Sequence, residues 1–178
     1  DAYRRGELPN IFNPRFCTGA LMDLGVYCVY LALALFGMPQ AVEGCASFLE
    51  SGADCCGAAI LKYPQFHTVL TYSKVSNTAI QSEIQGEHGF VSLGSVSKLH
   101  EFTLSLNNRQ PEPFSYQDDA VTRMGPELQD FLDIIGQAPG FQDTYSRLCQ
   151  LSYQAGCVLD AIRGHAGIRF ESYVPVIQ

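Results

Sequence analysis

The sequence predicts an α+β domain: a large, mostly antiparallel (mixed) β-sheet with helices packed on one face and the other face open. Three observations predict it. An apolar run with a helical stop signal comes first, short β-branched and aromatic runs fill the middle, and a long stretch of helical periodicity closes the chain. The middle runs recur about ten residues apart, the spacing of antiparallel meanders and not of βαβ units.

The elements follow in order. Residues 1–16 are polar, with Gly6, Pro9 and Pro14, and are expected to be an extended lead-in. Thr18 is a candidate N-cap for a helix over Gly19–Phe36, which Gly37 and Pro39 stop. Gly25 inside that helix costs about 1 kcal/mol relative to Ala, so something is expected to approach it closely, a backbone or a ligand. Strands are predicted at Ala41–Leu49, Ala53–Tyr63, Phe66–Val75, Ala79–Gly86, Phe90–Leu93, Leu99–Leu106 and Phe114–Tyr116. Ser51-Gly52, Pro64-Gln65, Ser76-Asn77, Glu87-His88-Gly89 and Asn107-Asn108 are the turns between them. Helices are predicted at Pro126–Ile135 and Asp143–Arg163. In the second, Tyr145, Leu148, Ser152, Ala155, Leu159 and Ile162 form one stripe, Asp143 is the N-cap and Gly164 the C′ residue. Ile168–Tyr173 is expected to return to the sheet edge.

Composition excludes several functions. The chain has 178 residues, 47% of them hydrophobic and 16% charged, which excludes a disordered chain and suits a single domain over residues 1–178. Eleven Lys and Arg against eighteen Asp and Glu give a net charge of −7, and Arg4-Arg5 is the longest basic cluster, so no nucleic-acid partner is expected. The seven cysteines have no C-x-x-C spacing and sit mostly in apolar runs; they read as reduced thiols and the compartment as cytoplasmic. Leu24–Met38 is uncharged over fifteen residues. A membrane span needs about 20, so a fully buried helix is expected and no membrane partner. Neither G-x-G-x-x-G nor G-x-x-x-x-G-K-[ST] occurs, and the four histidines are scattered, so neither a cofactor nor a metal site is expected in this chain alone.

The densest cluster of chemistry is Gly19 to Tyr27. Asp23 and Tyr27 are four apart on the predicted helix and share a face. Asp23 interrupts an apolar stretch, where a buried carboxylate costs several kcal/mol unless it is paired. It is either a structural acid that caps a loop or pairs with an arginine such as Arg15, or a site residue that orients a polar substrate while Tyr27 moves a proton. On the second of these readings the candidate site is Asp23 and Tyr27 as catalytic residues, with Arg15, Asp23 and Tyr27 as the substrate-binding set.

The run Cys17-Thr18-Gly19-Ala20-Leu21-Met22-Asp23-Leu24-Gly25-Val26-Tyr27 resembles the G-G-A-L-L-D-x-G-x-[HY] helix of the glucose–fructose oxidoreductase/inositol dehydrogenase (Gfo/Idh/MocA) family. Phe36-Gly37-Met38-Pro39 resembles its L-F-G-x-P exit, and Ser51-Gly52-Ala53-Asp54 its G-x-D strand start. Ile84-Gln85-Gly86-Glu87-His88-Gly89 resembles its I-x-G-t-x-G turn, and Val158-Leu159-Asp160-Ala161-Ile162 the end of its final helix. The matches fall in the family's order, and the helix, with Tyr27 where many members carry His, is most similar to the dihydrodiol dehydrogenase branch.

The resemblance implies the C-terminal half of a two-domain enzyme. A Rossmann domain outside this sequence would bind NAD or NADP and bring a lysine in an E-K-P motif. The chain begins at Asp1 and not at Met, and is expected to be a piece of a protein about twice its size, inactive without that domain. Its implied role is to bind a polyol or diol and to pair subunits through the open sheet face, as a homodimer. Hydride would pass to or from a secondary alcohol of a sugar, cyclitol or diol, with the tyrosine matching Tyr27 as general acid/base and Asp23 beside it. A tyrosine of ordinary pKa, about 10, needs a nearby cation to act at neutral pH, which the lysine would supply. The family's non-catalytic members imply the alternative, a ligand-sensing or protein-interaction role.

Overall fold

The structure is a computed structural model that describes residues 3–115 and 120–170, with the side chains of 120–123 left aside. The contacts divide the chain into two compact units. The first holds residues up to Asn77 and those from Leu151 on; the second runs from Thr78 to Gln150.

In the first unit, β1 (Ala41–Phe48), β2 (Asp54–Lys62) and β3 (His67–Ser73) form an antiparallel sheet in the order β1-β2-β3. The register pairs Val42 with Leu61 and Gly44 with Ala59; Ala59 in turn faces Leu70, and Gly57 faces Tyr72. Successive side chains of a strand alternate faces, so Val42, Ala46, Ala59, Leu61, Leu70 and Tyr72 fall on one side. That side meets α1 (Val26–Phe36) and the end of α3 (Phe141–Ala166), in a core that includes Leu21, Val29, Ala32, Leu33, Ala155, Val158, Leu159 and Ile162. Helix α3 comes so close to β1 that a Cβ on Gly44 would lie 3.0 Å from Ile162 Cγ2. The outward face carries Glu43, Cys45 and Val69, all exposed. Helices on one face and an open face opposite are what the strand pattern predicts.

In the second unit, β4 (Ser82–Gly86), β5 (Gly89–Leu93), β6 (Glu101–Leu106) and β7 (Glu112–Ser115) form a second antiparallel sheet in sequence order. Phe102 and Phe114 face each other across β6 and β7 and stack at 4.8 Å. Gly89 makes the β4–β5 turn with φ +151; a Cβ there would lie 2.1 Å from Ser105 O. Helix α2 (Ala120–Ile135) follows.

Several expectations change. Among the described residues the seven strands form two sheets, of three and four strands, and not one ladder. Residues 79–81 are not strand, and Ile80 is 84% exposed. The lead-in is not extended but forms three short 3-10 turns, Tyr3–Arg5, Asn10–Phe12 and Pro14–Phe16. Helix α2 starts before Pro126, which lies inside it, and α3 starts at Phe141, so Asp143 sits in its first turn instead of capping it. Helix α3 runs past Gly164, and Gly167, with φ +71, ends it instead. Of its predicted stripe, only Ala155, Leu159 and Ile162 are buried; Tyr145 and Leu148 are exposed. Residues 168–170 are not strand, and the rest of the expected last strand, like Tyr116, lies outside the described residues.

The helical stretch Pro14–Phe36 is long and apolar enough to cross a membrane by length and composition. In the fold it is a core helix on one side only. Val29, Ala32 and Leu33 are buried while Met22, Leu24, Tyr27 and Leu35 are exposed, so the expectation of a fully buried helix is corrected.

Candidate functional site

The helix that carries Asp23 and Tyr27 does not begin as predicted. Thr18 Oγ1 donates to Asn10 O at 2.6 Å and Asn13 O at 3.0 Å, so it ties the lead-in turns together and caps nothing. The cap comes from Asp54 at the start of β2, whose Oδ2 accepts from Leu21 N at 2.7 Å. Asp54 is fully buried. Burial raises its carboxyl above the ordinary carboxylate value, while the N–H groups of Leu21, Asp54 and Ala20 and the Lys74 charge pull it down. Gly19 makes room for this cap: a Cβ there would lie 1.8 Å from Asp54 Oδ1.

The helix then opens with a wide π-helical turn, Leu21–Gly25, before α1 begins at Val26. Such turns are rare and concentrate at functional sites. Asp23 lies within it and Tyr27 just after it. Both face solvent, Asp23 with 58% of its side chain exposed and Tyr27 at 48%. Asp23 is therefore not a buried acid. The structure pairs it with Lys74 just after β3, whose Nζ lies 2.8 Å from Asp23 Oδ2, and not with Arg15 as the sequence suggested. Arg15 is exposed in the Pro14–Phe16 turn, its N–H donating to Asn13 Oδ1 at 3.1 Å.

Lys74 is the better hidden partner, with 7% of its side chain exposed. Its Nζ also donates to Ile11 O at 3.2 Å and sits 5.5 Å from the Phe12 ring centroid, while its N–H donates to Cys55 O at 2.8 Å. A lead-in turn, the helix start and the strands are thus held to one lysine, the first two through its ammonium and the strands through its backbone N–H.

Beneath the π turn lies Tyr72. Its ring answers the question posed by Gly25, where a Cβ would lie 3.1 Å from Tyr72 Cδ1, so a side chain fills that gap and not a ligand. On the other side a Cβ on Gly57 would lie 2.6 Å from the Tyr72 hydroxyl. The hydroxyl has no hydrogen-bond partner among the described residues, and burial first, then the Asp54 charge, raises its pKa. Among the described residues no group of three or more His, Cys, Asp or Glu could hold a metal ion.

Two residues of this arrangement escaped the sequence reading. Asp54 entered only as part of a motif, yet it is the sole acid in the run from Ala53 to Tyr63. Lys74 belongs to no motif, although no other Asp, Glu, Lys or Arg falls between Lys62 and Glu83. A lone charge in an apolar stretch is the signal that could have found both.

A family model described as the GFO/IDH/MocA C-terminal domain matches residues 2–92, the lead-in, the helix, the first sheet and the start of the second. The chain is 46% identical over 166 residues to an uncharacterized oxidoreductase, YgjR, of Escherichia coli, covering 89% of this chain and 50% of that protein. It is 36% identical over 135 residues to the scyllo-inositol 2-dehydrogenase (NADP(+)) IolU of Bacillus subtilis, covering 76% and 41%. It is 29% identical over 99 residues to the mouse trans-1,2-dihydrobenzene-1,2-diol dehydrogenase, covering 54% and 29%. Its fold is similar to that of UDP-N-acetylglucosamine 3-dehydrogenase GnnA from Acidithiobacillus ferrooxidans, with a TM-score of 0.66 at 19% identity over 87% of this chain and 50% of that one. The chain spans half the length, or less, of these curated relatives.

Proposed function

The chain belongs to the GFO/IDH/MocA family and carries its C-terminal domain, and on that premise we propose that it is the substrate-binding half of an NAD(P)-dependent oxidoreductase. The reaction would move hydride between a nicotinamide and a secondary alcohol of a sugar, cyclitol or diol. The observation that carries this reading is the exposed Asp23–Tyr27 helix turn, inside the matched region and braced from below by Lys74. The printed activities of the inositol and diol dehydrogenases it resembles support the substrate class.

Oxidation of a secondary alcohol removes two hydrogens. When bound, a nicotinamide would supply the acceptor for the carbinol hydrogen and its electron pair. The hydroxyl proton goes to Tyr27, and a ketone remains. Asp23 accepts a hydrogen bond from a neighbouring hydroxyl and fixes which carbon faces the hydride acceptor, and Arg15 lies on the lead-in as a further donor. No dinucleotide fingerprint occurs in this sequence, so the cofactor would be held by a Rossmann domain, which would also bring the lysine that activates Tyr27.

The same reading includes a homodimer formed through the open face of a sheet, supported by Val69, which stands 61% exposed on the outward side of β3. It also includes a reducing, cytoplasmic setting, supported by the seven free thiols. The test is the protein joined to its dinucleotide-binding domain, assayed for reduced-nicotinamide formation on a panel of cyclitols, sugars and diols. Turnover with at least one of them is expected. No turnover with either NAD or NADP, together with saturable binding of a polyol, would instead favour a ligand-sensing role.

A further inference from the structure

We infer that Lys74 is a positioning residue of this site: it holds the Asp23 carboxylate in the orientation from which Asp23 meets the substrate. The inference rests on the proposed role of Asp23 and Tyr27 and adds a residue to it. Three observations carry it. First, the two partners differ in access: Asp23 is 58% exposed and Lys74 only 7%. A substrate can therefore reach the carboxylate, while the ammonium stands behind it.

Second, Lys74 is itself fixed from three directions. Ile11 O accepts from its Nζ, the Phe12 ring lies against that ammonium, and the backbone N–H of Lys74 donates to Cys55 O beside the end of β3. A lysine on a free surface would spend its four-carbon stem in many rotamers and lend its partner no fixed direction. Here one orientation is set, and the Nζ–Oδ2 separation of 2.8 Å passes it on to Asp23. Third, Asp23 stands in the π turn, where the helix ladder is widened and the backbone alone constrains the side chain less.

At such a carboxylate a misplacement of about 1 Å is enough to cost on the order of 100-fold in rate. The experiment is a double-mutant cycle on kcat and KM in the protein joined to its dinucleotide-binding domain, using Asp23→Asn, Lys74→Met and both together. We expect Lys74→Met to lower kcat about 100-fold with a much smaller change in KM. In the Asp23→Asn background it should cost nothing further, because its effect passes through Asp23. A second full loss in that background would overturn the inference, since Lys74 would then act on its own. So would an unchanged kcat for Lys74→Met alongside an impaired Asp23→Asn, which leaves the proposed function standing. An unimpaired Asp23→Asn would remove the proposed role of Asp23, and this inference with it. Should Lys74→Met not melt cooperatively, Lys74→Gln, which keeps a donor for Ile11 O, takes its place with the same outcomes.

Discussion

At the scale of single residues, a buried acid decides where the helix starts. Thr18 is held away from the helix by its bonds to Asn10 O and Asn13 O, and Asp54 supplies the cap instead, with Oδ2 accepting from Leu21 N. The arrangement leaves no room for a methyl on Gly19. Gly19→Ala should lower stability by about 3 kcal/mol, the upper end of the overpacking range, as read by denaturant unfolding. A loss below about 1 kcal/mol would mean the cap simply moves aside. Cys17 is the opposite case. It holds φ +52, a left-handed conformation that favours glycine. Cys17→Gly should be neutral or stabilise by up to about 1 kcal/mol, and a clear loss would show that the thiol side chain matters more than the backbone.

Asp54 also gives a pH signature. Its folded-state pKa lies above the ordinary value of 3.8 because burial outweighs its hydrogen bonds and the Lys74 charge. Between the unfolded and folded pKa values the native state binds the extra proton, so the stability due to this group is fullest below 3.8 and falls as pH rises through that window. Asp54→Asn keeps an acceptor for Leu21 N without the titration. The stability of the natural protein minus that of Asp54→Asn should decline as pH rises above 3.8; a difference that stays flat or grows would contradict the assignment.

At the scale of elements, the helix and the first sheet are keyed together by Tyr72 between two glycines, Gly25 above and Gly57 below. The buried hydroxyl has no partner among the described residues, and an unsatisfied buried polar group costs about 1–3 kcal/mol. Tyr72→Phe should therefore be neutral or raise the melting temperature, and a marked fall would reveal a partner for the hydroxyl. The positions of α1, β1, β2 and β3 were legible in the sequence, because periodicity, the Gly37-Pro39 stop and the turn residues are local signals. The π turn was not, because Asp23 and Gly25 weaken the helix locally but do not by themselves specify a wider turn. Its conformation comes with the Asp54 cap and the Tyr72 ring, both distant in sequence. The same distance hid Lys74: the Asp23–Tyr27 pair can be read from one helix, but the cation behind Asp23 arrives from the far end of β3.

At the scale of the whole molecule, an acidic chain of 178 residues places its candidate site in the first unit, on a helix whose inner side joins that unit's core and whose outer side offers Asp23 and Tyr27. That division explains how one element can be apolar enough to pass for a membrane span and still carry polar chemistry. Two-copy association through the open face of a sheet should appear as a dimer mass by light scattering, and a monomer at high concentration would contradict it. The most direct test of the central claim is kcat of Tyr27→Phe in the protein joined to its dinucleotide-binding domain, on whichever polyol or diol it turns over. Removing a general acid/base should lower kcat about 100-fold or more with little change in KM. An unchanged kcat would contradict the account.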